Sequence, residues 1–179
     1  MINPHEEHKG KLHRKVNFSI ITVSTTRAKA FHEGKHIEDT SGDVAKSLIE
    51  SQGHKIVYRS IIPDDILAIR NVLFESINAK ADIVIFIGGT GITRDDVTIE
   101  ALQPLFWKEL PGFGEIMRFL SYKQIGASAF LSRAIAGIIG KTAVFCIPGS
   151  PNAVKLAVQE LILPEADHIV YLLEREEMG

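Results

Sequence analysis

Four short segments carry the residue types from which a phosphate-handling site can be built: Asp39 to Gly42 (DTSG), Pro63 to Asp65 (PDD), Gly88 to Asp96 (GGTGITRDD) and Pro148 to Ala153 (PGSPNA). In the third, Gly88, Gly89 and Gly91 permit backbone conformations closed to other residues and let amides approach a ligand, while Thr90 adds a hydroxyl donor. GGTG alone is equally a tight turn after a strand. It lacks the third-glycine spacing of the dinucleotide fingerprint and the Lys-Ser/Thr end of a Walker loop, so neither label fits. Asp64 and Asp96 each precede a predicted helix, where a lone aspartate is ordinarily an N-cap. Two carboxylates on neighbouring strand ends, however, suit Mg²⁺ shared with the oxygens of a nucleoside triphosphate, because Mg²⁺ takes one or two carboxylates plus substrate phosphates. Asp65 and Asp95 are alternatives within the same pairs, and residue order does not separate them. Ser132 and Arg133 of FLSRAIAG offer a hydroxyl and a guanidinium fork to an anionic group, or else a surface ion pair. Pro148, Gly149 and Pro151 shape a rigid turn that either faces a ligand or reverses the chain.

The elements that must position these residues alternate between strand and helix. FSIITVS (Phe18 to Ser24) reads as a strand followed by a long polar loop, Thr25 to Thr40. DTSG then caps a helix carrying Val44, Leu48 and Ile49, which Gly53 is placed to end. KIVYRSII (Lys55 to Ile62) is a second strand, and Pro63-Asp64-Asp65 opens a helix with Ile66, Ile69, Val72, Leu73 and Ile77 on one face. DIVIFI (Asp82 to Ile87) is apolar throughout, as expected of a central parallel strand covered on both faces. Helices are expected from DDVTIEAL and from Glu115 to Ile125, after a break at Leu110-Pro111-Gly112. SAFLSRAIAGIIG is ambiguous between a loop with a short strand and a helix end. KTAVFCIPG (Lys141 to Gly149) is a last strand, followed by a helix that Pro164 should stop and another from Glu165 to about Leu173. This order predicts a three-layer α/β/α fold with a mostly parallel central sheet, whose ligands bind outside the carboxyl ends of the strands.

Composition sets the class. A chain of 179 residues with 45% hydrophobic and 23% charged residues is expected to form one α/β domain, here residues 16–179, behind a flexible polar tail over residues 1–15. His5, His8 and His13 in that tail are irregularly spaced and make no metal signature. A formal net charge of -2 leaves no field to draw a polyanion, so nucleic acid is not an expected partner. Neither a signal peptide nor an apolar run long enough for a membrane span is present, and a cytoplasmic location is expected. The single Cys146, in TAVFCIPG, reads as a buried strand thiol rather than a nucleophile.

Taken together, GGTGITRDDVTIEA, LPGFGEIMRFLS, LSRAIAGIIGKT and PGSPNAV resemble, in order and spacing, the MogA/MoaB family of molybdenum-cofactor synthesis proteins, and the MoaB branch most. The resemblance implies adenylylation of molybdopterin by ATP, releasing pyrophosphate, with Mg²⁺ as cofactor. It assigns metal and catalysis to Asp64 and Asp96. It places Ser41, Gly42, Gly88, Gly89, Thr90, Gly91, Ser132, Pro148 and Gly149 along the nucleotide and pterin pocket, and Arg133 beside Ser132 stands as a candidate donor to a bound anion. Where the active branch often has arginine before the second aspartate this chain has Asp95, and Ile99 replaces the usual proline after VT. These departures favour an alternative, a pterin-binding or scaffold protein without transfer activity. The resemblance also implies a homo-oligomer, trimer or hexamer, for which LFWKELPGF supplies aromatic contact candidates, and a downstream metal-insertion protein as partner.

Overall fold

The structure, a computed structural model, describes residues 14–175. Six strands form one sheet: β1 (Asn17–Val23), β2 (Lys55–Ile62), β3 (Ile83–Ile87), β4 (Lys108–Glu109), β5 (Ile135–Ile139) and β6 (Thr142–Ile147), in the order β2-β1-β3-β6-β5-β4. The first four are parallel neighbours, and β5 and β4 are added antiparallel. The sheet is therefore mostly parallel, as expected, with the antiparallel pair along one edge.

The apolar run of β3 is explained by burial on two sides. Ile83, Ile85 and Ile87 enter one core with Ala45 and Ile49 of α2 (Thr40–Ser51), and Val84 and Phe86 enter the other with Ile69, Val72 and Leu73 of α3 (Ile66–Asn78). Period-two alternation thus supplies two cores from one strand. The first core is completed by Met117 of α5 (Pro111–Ile125), Val154 of α6 (Pro151–Ala157) and Val170 of α7 (Leu163–Arg175). The second is completed by Ala101 and Leu102 of the short α4 (Thr98–Leu102). Cys146 is fully buried in β6, and burial pushes its thiol far above the ordinary range.

Several local expectations are corrected. The loop Thr25 to Thr40 begins with a helix, α1 (Thr25–His32), capped by Ser24 through a bond from the Arg27 amide; its short polar sequence offered no apolar stripe. The break at Leu110-Pro111-Gly112 is the first turn of α5, where proline's missing N–H costs nothing. SAFLSRAIAGIIG is both of the alternatives in turn, a 3₁₀ segment (Gly126–Leu131) and then β5. Pro164 does not stop the helix. A π turn, Val158–Ile162, widens the backbone just before it, so the proline ring enters where the regular ladder is already opened, and α7 runs on to Arg175. Arg14, assigned to the tail, forms an ion pair with Glu174, while residues 1–13, with the three tail histidines, lie outside the described residues. Among the described residues no helix is long and apolar enough to cross a membrane.

Candidate functional site

Strands β2, β1, β3 and β6 are consecutive in the sheet and parallel, so their carboxyl ends, Ile62, Val23, Ile87 and Ile147, open on one edge. Three of the four predicted segments follow directly: PDD from β2, GGTG from β3 and PGS from β6. The fourth, DTSG, is the first turn of α2, and it reaches the same edge because Ser41 Oγ donates to the Gly149 carbonyl at 2.7 Å.

The two aspartates meet one loop. A Cβ at Gly89 would lie 2.8 Å from Asp64 Oδ1, and a Cβ at Gly91 would lie 2.6 Å from Asp96 Oδ2. Asp64 and Asp96 therefore rest against glycines two positions apart, each in space that any side chain on the loop would fill. Gly88 and Gly89 have positive φ, +100° and +61°, as the sequence suggested; Gly91 does not, and is required instead for the room it leaves Asp96.

The pairs that residue order left open are separated by hydrogen bonding. Asp65 is the N-cap of α3, accepting from the Ala68 amide at 2.8 Å. Asp64 is not a cap: its Oδ2 accepts from both the amide and the hydroxyl of Thr25, each at 2.8 Å, which leaves Oδ1 on the Gly89 side. Asp96 closes its own turn, Oδ2 accepting from the Thr93 amide at 2.9 Å and the Thr93 hydroxyl at 2.5 Å. Asp95 beside it is exposed and takes no part in those bonds.

The remaining predicted residues divide into those on the edge and those that hold it. Arg133 does not reach outward. Its Nε donates to the Thr90 carbonyl at 2.9 Å and its Nη1 to Glu100 at 2.6 Å, so the guanidinium fastens GGTG to α4. Thr90 is buried, and Gly42 gives its amide to Asp39. Gly149 lies against Gly88, where an added Cβ would stand 3.3 Å from the Gly88 Cα. Ser132 is half-buried at the foot of β5. Sequence reasoning passed over Thr25, placed in a loop, and Thr98, whose hydroxyl donates to the Gly88 carbonyl at 2.9 Å. It also passed over Glu100. For Thr98 the signal was its position two residues after Asp96, at the start of a helix.

The Thr93 hydroxyl is the main cause holding the Asp96 carboxyl below its usual range. The Thr93 and Gly91 amides and the Arg133 charge act the same way, against desolvation. A depressed folded-state pKa stabilises the loop above the ordinary carboxylate range of about 4, and that stabilisation is lost as pH falls through the lowered value. The turn is accordingly expected to be insensitive between about pH 8 and 5 and to open only in stronger acid. A carboxyl-carbon chemical-shift titration checks this: Thr93→Val should move the Asp96 midpoint upward, and an unmoved midpoint would exclude the hydroxyl as the cause.

Among the described residues no group of three or more His, Cys, Asp or Glu side chains forms a metal cluster. The donor set that the edge does present, two carboxylates flanking a glycine loop, fits a hard divalent ion that takes the rest of its ligands from substrate oxygens and water.

Comparison with known proteins identifies the family. The family described as "probable molybdopterin binding domain" matches residues 19–168. Molybdenum cofactor biosynthesis protein B of Bacillus subtilis (strain 168) is 46% identical over 173 residues, covering 96% of this chain and 98% of the relative. The crystal structure of the tungsten cofactor synthesizing protein MoaB from Pyrococcus furiosus superposes with a TM-score of 0.81 at 43% identity, covering 89% of this chain and 98% of that one. MoaB from Thermus thermophilus, described as a molybdopterin biosynthesis enzyme, gives a TM-score of 0.74 at 29% identity, with 88% and 96% covered. Matched by this family over residues 19–168 and by these relatives over most of its length, the chain belongs to the MoaB/MogA family of molybdenum cofactor biosynthesis proteins.

Proposed function

We propose that the strand-end site adenylylates molybdopterin with Mg-ATP. The observation that carries this reading is the seating of Asp64 and Asp96 against Gly89 and Gly91 of one loop. The terminal phosphate oxygen of molybdopterin forms a bond to the α-phosphorus of ATP while the bond from that phosphorus to the bridging oxygen of the β-phosphate breaks, giving adenylyl-molybdopterin and pyrophosphate. The phosphate is already a nucleophile, so the protein's task is alignment and charge stabilisation rather than formation of an enzyme-bound intermediate. Asp64 and Asp96 are the residues that would hold Mg²⁺, which would neutralise charge on the phosphate oxygens and on departing pyrophosphate. The GGTG and PGS turns would orient the two substrates between them. Thr25 fixes the Asp64 rotamer, and Arg133 fixes the loop on which both aspartates lean.

The test is direct: purified protein with molybdopterin and Mg-ATP should release pyrophosphate and adenylyl-molybdopterin in equal amounts. Exposed Asp95, which adds a negative charge beside the phosphate-facing turn, favours a second reading, a pterin-binding or scaffold protein that delivers its ligand to a metal-insertion partner. Molybdopterin binding without pyrophosphate would establish that reading and end the first.

A homo-oligomer is part of the same proposal. Ile116, Phe119, Tyr122 and Ile125 recur every three residues along α5 and are at least half exposed, and Phe130 continues the stripe at 75% exposure. Trp107 of the LFWKELPGF segment is exposed as well, whereas Phe106 packs over Gly137 and Phe113 against Phe145. A second copy of this chain is the occupant expected on so large an apolar face. Phe119→Glu should shift the mass measured by light scattering toward the monomer; an unchanged mass would remove α5 from the interface.

A further inference from the structure

We infer that Asp39, held by Arg59, is a positioning residue that sets the PGS turn of the strand-end site through Ser41. Asp39 is a carboxylate only 5% exposed, yet every side of it is engaged. It accepts from the Thr22 hydroxyl at 3.0 and 3.1 Å, from the Gly42 amide at 3.2 Å and from Arg59 Nη2 at 2.7 Å. These partners come from β1, from α2 and from the edge strand β2, so one side chain fixes the start of α2 against two strands. The fit is close: a Cβ at Gly42 would stand 2.1 Å from Asp39 Oδ2 and 2.9 Å from Arg59 Nη2.

The consequence reaches the site by contact. With the first turn of α2 so fixed, the Ser41 hydroxyl meets the Gly149 carbonyl at 2.7 Å, and Gly149 in turn lies against Gly88 of the glycine loop. Thr22 pairs in register with Ile87, the residue before Gly88, so the anchor and the loop share one strand end. A buried carboxylate is costly unless fully bonded, and loss of the half-buried Arg59 partner would strand it. Asp39 does not touch Asp64 or Asp96. Its effect should therefore fall on the PGS turn and not on Asp64 and Asp96.

Two arms of one experiment test this, on the full chain. In the first, which needs no substrate, Asp39→Asn should speed hydrogen exchange of the Ala153 and Val154 amides, both bonded to Ser150 of the PGS turn, by about tenfold, the size of one lost hydrogen bond. Ser41→Ala should do the same, the double variant should do no more than either, and Asp43→Asn, which removes only the exposed second partner of Arg59, should change nothing. Thr22→Val, a milder removal of one bond, should act in the same direction and replaces Asp39→Asn if that variant fails to fold. The second arm rests on the transfer reading: Asp39→Asn should raise the KM for molybdopterin or ATP by about tenfold while leaving kcat within a few-fold. Unchanged exchange at Ala153 and Val154, or additive losses in the double variant, overturns the assignment. Absence of turnover in the native protein would overturn the transfer reading alone, since the exchange arm still decides Asp39.

Discussion

On the transfer reading, Asp64→Asn is expected to lower turnover by about a thousandfold with the fold intact, because the amide keeps the size of the side chain and an acceptor for the Thr25 amide but loses the charge that faces Gly89. Asp96→Asn should cost a similar factor, and the double variant little more than either, since two carboxylates sharing one ion would act as a unit. The discriminating partner is Asp65. It caps α3, so Asp65→Asn should leave turnover nearly unchanged, and Asp65→Ala should cost only about 1 kcal/mol of stability. The two adjacent aspartates thus carry opposite predictions, one on rate and one on melting temperature. If Asp65→Asn stopped turnover while Asp64→Asn spared it, the reading of the hydrogen bonds would be reversed. A loss of less than tenfold at Asp64 would remove it from the catalytic site.

The contrast shows what residue order conveys and what it does not. PDD announces a helix start, and DIVIFI announces a strand covered on both sides, because capping and two-sided burial leave marks on single short segments. The convergence of DTSG, PDD, GGTG and PGS followed from the alternation of strand and helix, since parallel strands put their following loops on one edge. Which of two neighbouring carboxylates turns inward is instead decided by bonds across 39 residues of chain, from Thr25 to Asp64, and no local pattern encodes them. Arg133 teaches the same point in the opposite direction. FLSRAIAG left an anion ligand and a surface ion pair both open for it, and the guanidinium is taken by the Thr90 carbonyl and by Glu100, 33 residues away. Helix α1 was illegible for a different reason: without an apolar stripe, only its Ser24 cap marked it. Pro164 was misread because a proline stops a regular helix, and here the preceding turn is not regular.

Gly88→Ala should be the most destabilising substitution on the loop, for reasons that combine backbone and space. With φ at +100° the residue lies where side-chain-bearing residues are strained by about 1–3 kcal/mol. The added Cβ would also fall 2.5 Å from the Val23 carbonyl oxygen, a backbone atom in the central sheet that cannot swing aside as a side chain would. Crowding of that kind adds about 1–3 kcal/mol more. At Gly89 the obstacles are the side chains of Thr98 and Asp64, which can rotate, so Gly89→Ala should cost less stability but displace the very carboxylate that faces it. The expected outcome is a fall of about 5–15 °C in melting temperature for Gly88→Ala. For Gly89→Ala a smaller fall should accompany a larger loss of turnover per unit of stability. Equal melting temperatures for the two variants would mean that the loop yields at Gly88 without moving β1, and the rigid strand end on which the site rests would have to be reconsidered.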